Sequence, residues 1–160
     1  MHGRAHQIVG SAFGIMALLS AGIQNPLALT FGAVVGLIGG TAPDWLEIHY
    51  SPGCRVIKHR TFTHWVPLWV LAYGYLKAHW QVAPLWSVPA LAFVGAGLSH
   101  LIMDWPNPAG VPFVWPTVRH SLKWWTSGAH EKLLIAISWG LAVSMVLYDF
   151  RVELGAHLVI

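Results

Sequence analysis

The chain of 160 residues is long enough for one domain and too short for two of ordinary size. Hydrophobic residues make up 56% of it and charged residues only 9%, whereas soluble domains carry roughly 25% charged residues. The net charge of +3 rests on nine Lys and Arg with no basic stripe or zinc-finger spacing, which excludes a typical nucleic-acid-binding protein. The composition indicates a small integral membrane protein, with residues 1–160 forming a single domain.

Five apolar segments follow one another along the chain and predict its helices. They cover residues 8–23, 27–42, 65–80, 84–104 and 132–148. Most are short against the ~20 residues that a helix needs to cross a bilayer. The first lacks a persuasive small-residue cleavage site, so we expect a membrane helix there and not a signal peptide. The sequence therefore predicts an all-α integral membrane bundle of about five short transmembrane helices.

Glycines in the second segment indicate how this helix packs. Gly32, Gly36 and Gly40 are spaced four residues apart and therefore lie on one helical face. Small residues at this spacing let two helices approach closely in lipid.

Charges between the segments are distributed unequally. With five spans, residues 1–7, 43–64 and 105–131 share one side of the membrane. Seven of the nine basic residues lie on or next to this side: Arg4, Arg55, Lys58, Arg60, Arg119, Lys123 and Lys132. The positive-inside rule then places this side in the cytoplasm.

Histidines and carboxylates collect on the same side, at the ends of the predicted helices. They are His6, Asp44, Glu47, His59, His64, His100 and Asp104. His100 and Asp104 are four residues apart on one helical face, and Pro106 ends that helix. Buried imidazoles and carboxylates need a compensating partner, and a divalent metal ion is an economical one. Since Cys54 is the single cysteine, such a site has to use histidine and carboxylate ligands.

Each of these residues also has an ordinary interpretation. His100 and Asp104 alone fit a hydrogen-bonded pair, and His6 fits a polar N-terminus. Asp44 fits a loop cap, and Glu47 fits an ion pair with Arg60 or Lys58. Arg119, Lys123, Trp124 and Trp125 are typical of interfacial anchors. It is the convergence of several segments on one side that favours a metal site.

Several of these motifs resemble a known family, the membrane-bound metal-dependent hydrolases that are also described as LexA-binding, inner-membrane-associated hydrolases. The resemblance rests on His6, Pro43-Asp44, the His59–His64 segment His-Arg-Thr-Phe-Thr-His, and the Ser99–Asp104 segment Ser-His-Leu-Ile-Met-Asp. It extends to Pro108–Pro112 and to Glu131. Family members often have a second Asp and a His after Pro-Asp, where this chain has Leu46 and Glu47.

The resemblance implies a metal site and the roles of its residues. Metal ligands are expected at His6, Asp44, His64, His100 and Asp104. Glu47 and His59 are expected to complete the ligand set or to act as acid and base. Arg60 is expected to hold an anionic group of the substrate, and Glu131 to orient a ligating histidine.

The first functional hypothesis is a metal-dependent hydrolase with one or two Zn²⁺, or Mn²⁺ instead. Its substrate would be a membrane-associated ester or phosphoester, because the His-x-x-x-Asp pattern is also similar to that of zinc-dependent phospholipases C. The alternative is a non-catalytic membrane protein in which a structural metal supports a face that docks a cytoplasmic protein. We expect the lipid bilayer as a partner and no nucleic acid. Transport ranks last, because the ionisable groups collect at one end of the bundle.

Overall fold

The computed structural model describes residues 2–47, 49–51, 54–55 and 60–157. These residues form the helices α1 (Gly3–Ser20), α2 (Pro26–Gly39), α3 (Ala42–Trp45), α4 (Val66–His79), α5 (Pro84–Asp104) and α6 (Glu131–His157). Short 3-10 helices cover Phe62–His64 and Trp80–Val82. Two small antiparallel ribbons pair β1 (His49–Ser51) with β2 (Cys54–Arg55) and β3 (Val111–Pro112) with β4 (Arg119–His120).

The predicted all-α, membrane-type fold is confirmed. The five apolar segments correspond to α1, α2, α4, α5 and α6, although α6 continues past its predicted end at Tyr148 to His157. By length and composition, α5 and the Glu131–Val152 part of α6 are each able to cross a membrane, while α2 is a shorter apolar helix.

Glycines bring α1 and α2 into backbone contact, as their spacing predicted. A Cβ added at Gly14 would lie 2.2 Å from the Gly32 carbonyl oxygen. One added at Gly36 would lie 2.4 Å from the Gly10 carbonyl oxygen. Larger residues do not fit at this crossing, so the end of α2 is held against the start of α1.

A similar close approach joins α4 to α5. A Cβ at Gly97 would lie 1.9 Å from Cζ3 of Trp69, so the indole ring occupies the space that the glycine leaves. Trp69 Nε1 also donates to the Thr63 carbonyl oxygen at 2.7 Å. The contact therefore fixes the 3-10 helix that carries His64.

The chain turns sharply after α5. Proline at 106 lacks an N–H and cannot continue the helix, and Asn107 N donates to the Asp104 carbonyl oxygen at 3.1 Å. Gly110 has φ +62, and a Cβ there would lie 2.3 Å from the His120 carbonyl oxygen. The β3–β4 ribbon therefore folds back beside the end of α5.

Candidate metal site

Four segments of the chain meet at one end of the bundle. His6 lies in the first turns of α1, Asp44 in α3 and His64 in the 3-10 helix before α4, while His100 and Asp104 close α5. The structure brings all five predicted metal ligands together at this place. They form two groups that could hold a metal ion, namely His6, His100 and Asp104, and Asp44, His64 and His100. Within each group, the potential ligand atoms all lie within 4.8 Å of one another.

His100 is at the centre of the cluster, and both of its ring nitrogens face acceptor oxygens. Its Nδ1 lies 2.9 Å from the Gly40 carbonyl oxygen, which can only accept, so Nδ1 carries a proton. The other ring nitrogen, Nε2, is buried without a hydrogen-bond partner among the described residues. It lies 3.6 Å from Asp44 Oδ1 and 3.5 Å from Asp104 Oδ2. His100 Nε2 therefore faces two carboxylate oxygens, an arrangement that a cation between them would satisfy.

Asp104 is buried and is contacted from several sides. Arg60 Nη2 lies 2.6 Å from Oδ2, and His6 Nε2 lies 3.5 Å from Oδ1. Asn107 Nδ2 donates to Oδ1 at 3.0 Å. The His6 ring stacks on the ring of His100 with the centroids 3.9 Å apart. These contacts fix the carboxylate and both imidazoles in a single arrangement.

His64 and Asp44 form the outer part of the cluster. His64 is fully buried, and its Nε2 lies 3.3 Å from Asp44 Oδ1, while Thr63 Oγ1 lies 3.1 Å from its Nδ1. Burial lowers the pKa of His64 below its ordinary value, which favours the neutral imidazole that binds metals. Burial alone would raise the pKa of Asp44, but the hydrogen bond to His64 and the nearby imidazoles hold it below its usual range.

Three of the four residues predicted to act beside the metal lie in the described part of the chain. Glu47 is buried, with Oε1 3.9 Å from His64 Nδ1, and accepts the backbone N–H of Arg60 at 3.3 Å. The Arg60 side chain contacts Asp104 and donates from Nη1 to the Gly110 carbonyl oxygen at 3.1 Å. Glu131 instead accepts hydrogen bonds from the backbone and side chain of His2. His59 lies outside the described residues.

Sequence reasoning missed two contributors to the site. Asn107 is buried and donates to Asp104, and its own Oδ1 has no hydrogen-bond partner among the described residues. Its position three residues after Asp104, where the helix stops, was the available signal. The Gly40 carbonyl that orients His100 is a backbone group, and no residue pattern identifies it.

The fold and the cluster define a class, the helical membrane-type proteins with a buried histidine–aspartate cluster at one end of the bundle. The sequence pattern of the YdjM inner membrane protein family matches residues 1–160, so the chain belongs to this family of inner membrane proteins.

Two curated relatives match part of the chain. They are the proteins called inner membrane protein YdjM in Escherichia coli (strain K12) and Shigella flexneri, and each is 41% identical over 82 residues. The match covers 48% of this chain and 38% of the length of each relative. No solved structure matches the chain.

Proposed function

We propose that this protein is a membrane-embedded, metal-dependent hydrolase with Zn²⁺ as the natural ion, acting on a membrane-associated ester or phosphoester. The observation that carries the proposal is the environment of His100 Nε2. This nitrogen faces two carboxylate oxygens inside the protein, and the other ring nitrogen, Nδ1, is held by the Gly40 carbonyl. Imidazole nitrogens and carboxylate oxygens are typical zinc ligands. The cytoplasmic orientation of the site is part of this proposal and rests on the positive-inside count.

The geometry favours one ion over two. Both candidate ligand groups contain His100, whose Nδ1 is occupied by a backbone carbonyl, so one nitrogen remains for both. One imidazole nitrogen binds one ion. The charges agree, because the described residues of the cluster include three carboxylates, Asp44, Glu47 and Asp104, and one guanidinium, that of Arg60. With neutral imidazoles, a single divalent cation balances the remaining negative charge.

The contacts of the other residues at the cluster indicate the role of each one in the proposed reaction. A zinc ion bound here would acidify a water molecule and polarise a carbonyl or phosphoryl oxygen. Glu47 lies beside His64 and is the nearest carboxylate outside the five ligand candidates, so we assign it the role of general base. Arg60 holds Asp104, so its main task is to fix a ligand and only secondarily to attract an anionic substrate. Asp44, the exposed member of the cluster, marks the side from which a substrate arrives.

The first experiment measures metal per chain in detergent-purified protein by elemental analysis. We expect close to one zinc per chain in the wild type and a loss of most of it in His100→Ala and Asp104→Ala. The matched control is His79→Ala, because His79 is exposed at the end of α4, where its Nδ1 lies 2.9 Å from the Tyr75 carbonyl oxygen of the same helix. Equal metal content in all variants, or no metal after reconstitution with zinc, would overturn the site.

Activity is tested separately from metal content. Zinc-loaded protein is assayed against a chromogenic phosphodiester and a chromogenic carboxyl ester, with Glu47→Gln as the variant. We expect Glu47→Gln to retain zinc and to lose about 100-fold in rate, as for the removal of a general base. Full metal binding with no turnover of either class would contradict the hydrolase and leave the metal site intact.

The depth of the cluster supports a second candidate function. His6, His64, His100 and Asp104 are all buried, which is typical of structural metal sites that leave no open position. Such a site would support a face that docks a cytoplasmic protein, and the resemblance to LexA-binding proteins suggests LexA as the first partner to test. Cobalt substitution separates the two candidates, because a closed tetrahedral site and a site with an open position give different visible spectra.

A further inference from the structure

The five ligand candidates differ sharply in exposure, and this difference locates the entrance to the cluster. The side chain of Asp44 is 45% exposed, whereas those of His6, His64, His100 and Asp104 are at most 3% exposed. A molecule that reaches the cluster therefore comes past Asp44. The chemistry of the surface around this residue decides what kind of molecule that is.

Exposed apolar side chains lie on the two segments that carry Asp44 and His64. Trp45 and Leu46, which follow Asp44 in the chain, are 52% and 41% exposed, and Phe62, two residues before His64, is 53% exposed. The two segments that carry them, α3 and the 3-10 helix, pack against each other. We call Trp45, Leu46 and Phe62 the apolar rim. Arg60, the cation at the cluster among the described residues, forms an ion pair with Asp104 and donates to the Gly110 carbonyl oxygen.

The apolar rim is continuous with the outer face of α2. Phe31, Val34 and Ile38 are all more than half exposed and lie three and four residues apart, so they form one stripe along this apolar helix. Trp45 Nε1 lies 3.4 Å from the Ile38 carbonyl oxygen and joins the stripe to the rim. A hydrocarbon chain can thus remain against the lipid-facing side of α2 while its head group reaches Asp44.

We propose that the entrance at Asp44 binds a phospholipid from the surrounding bilayer, with the acyl chain along α2 and the rim and the head group at the cluster. This inference rests on the proposed function and names its substrate class. A water-soluble phosphoester would gain nothing from three exposed apolar side chains at the entrance, whereas a phospholipid buries them on binding.

The test uses the full-length, zinc-loaded protein in vesicles that contain phosphatidylglycerol with a photoactivatable diazirine near the acyl ester. After irradiation, mass spectrometry locates the labelled peptides. We expect labelling at Trp45 and Phe62 that excess unlabelled phosphatidylglycerol removes and glycerol phosphate does not. Trp45→Ala combined with Phe62→Ala should lower this labelling about tenfold. The matched control, Leu85→Ala with Trp86→Ala, removes two exposed apolar side chains at the opposite end of α5 and should have no effect.

Each outcome has a distinct meaning. Equal competition by glycerol phosphate would show that the ligand is a soluble phosphate and overturn the proposal. Labelling at Trp45 and Phe62 that falls no more than labelling at Leu85 and Trp86 when phosphatidylglycerol is added would mean contact with bulk lipid only and would overturn it too. Because labelling does not depend on turnover, a protein that binds lipid and does not hydrolyse it refutes the proposed hydrolase and leaves this inference standing. Loss of zinc in the rim variant, checked by elemental analysis, would instead identify a structural role for these residues and count against the inference.

Discussion

Asp104 is the residue on which the other side chains of the site converge. Its buried carboxylate contacts a guanidinium, an amide and two imidazoles, which come from two segments distant in sequence, from its own helix and from the turn that follows it. A buried charge of this kind is stable only while its partners remain, since removing one leaves an uncompensated charge. Arg60 provides the shortest of these contacts and has an unusual backbone, with φ +59. The local strain and the ion pair together indicate that Arg60 is placed for Asp104.

Arg60→Ala is predicted to destabilise the protein by about 3–5 kcal/mol, because it leaves Asp104 buried without its cation. Thermal unfolding of the metal-free protein in detergent measures this loss. Arg119→Ala is the control, since Arg119 is exposed on β4 and its loss should change the free energy of unfolding by less than about 0.5 kcal/mol. An Arg60→Ala variant as stable as Arg119→Ala would show that Asp104 does not depend on the guanidinium.

The sequence predicted the members of the site better than their contacts. His100 and Asp104 were recognisable because ionisable residues at the end of an apolar helix need a partner. The partner of the Arg60 side chain was not predictable, because a guanidinium fits a substrate phosphate and a carboxylate equally well. Only the fold shows that Asp104 lies beside it. Glu131 shows the same limit, since the structure pairs it with His2 at the N-terminus.

Helix packing sets the position of the cluster at the scale of elements. The glycine contacts between α1 and α2 continue up to Gly40, where an added Cβ would lie 2.3 Å from the His6 carbonyl oxygen. The Gly40 carbonyl is the group that orients His100. The same close crossing therefore brings His6 and the acceptor of His100 to one place, so distances in the site depend on the spacing of these two helices.

Gly36→Ala is predicted to weaken zinc binding at least tenfold, although Gly36 contacts none of the ligands. The new methyl group would overlap the Gly10 carbonyl oxygen and push α2 away from α1. Zinc affinity is measured by competition with a chromophoric chelator. Gly74→Ala is the matched control, because nothing lies within 4 Å of its added Cβ and the helix even gains about 0.5–1 kcal/mol of propensity. Unchanged affinity in Gly36→Ala would mean that the crossing does not set the site.

The glycine spacing predicted this packing face, whereas other elements could not be predicted from local sequence patterns. The short α3 and the 3-10 helix at Phe62–His64 are too short for any periodicity, yet they position Asp44 and His64. Their conformation follows from tertiary contacts such as the Trp69–Thr63 hydrogen bond. The continuation of α6 to His157 was missed because hydropathy falls near Asp149 and Arg151 while the helix persists.

The whole molecule places its polar cluster at one end and leaves most of α6 exposed. Only 11% of the most apolar 18-residue stretch of α6 is buried, against 44% of the corresponding stretch of α5. An apolar helix with so little protein contact is consistent with a surface that faces lipid. The position of the cluster relative to the two sides of the membrane is then the main question at this scale.

An orientation with the cluster in the cytoplasm is testable with single cysteines in a Cys54→Ala background. His120→Cys lies at the cluster end, in β4, and Val82→Cys lies in the 3-10 helix at the other end; both positions are exposed. We expect a membrane-impermeant thiol reagent to label Val82→Cys in intact spheroplasts and His120→Cys only in inverted vesicles. The reverse pattern would contradict the predicted orientation.

The order in which the ligand candidates appear along the chain has a consequence for biosynthesis. His6 leaves the ribosome first, and the set stays incomplete until Asp104 has followed, so early intermediates expose orphaned imidazoles and carboxylates. The helix that follows α5, α6, contributes none of the five candidates. With the metal site proposed above, capture of the ion would become possible once α5 has been inserted and while α6 is still being made, and a shortage of the ion during synthesis would leave an inserted but loosely assembled chain for membrane proteases to remove.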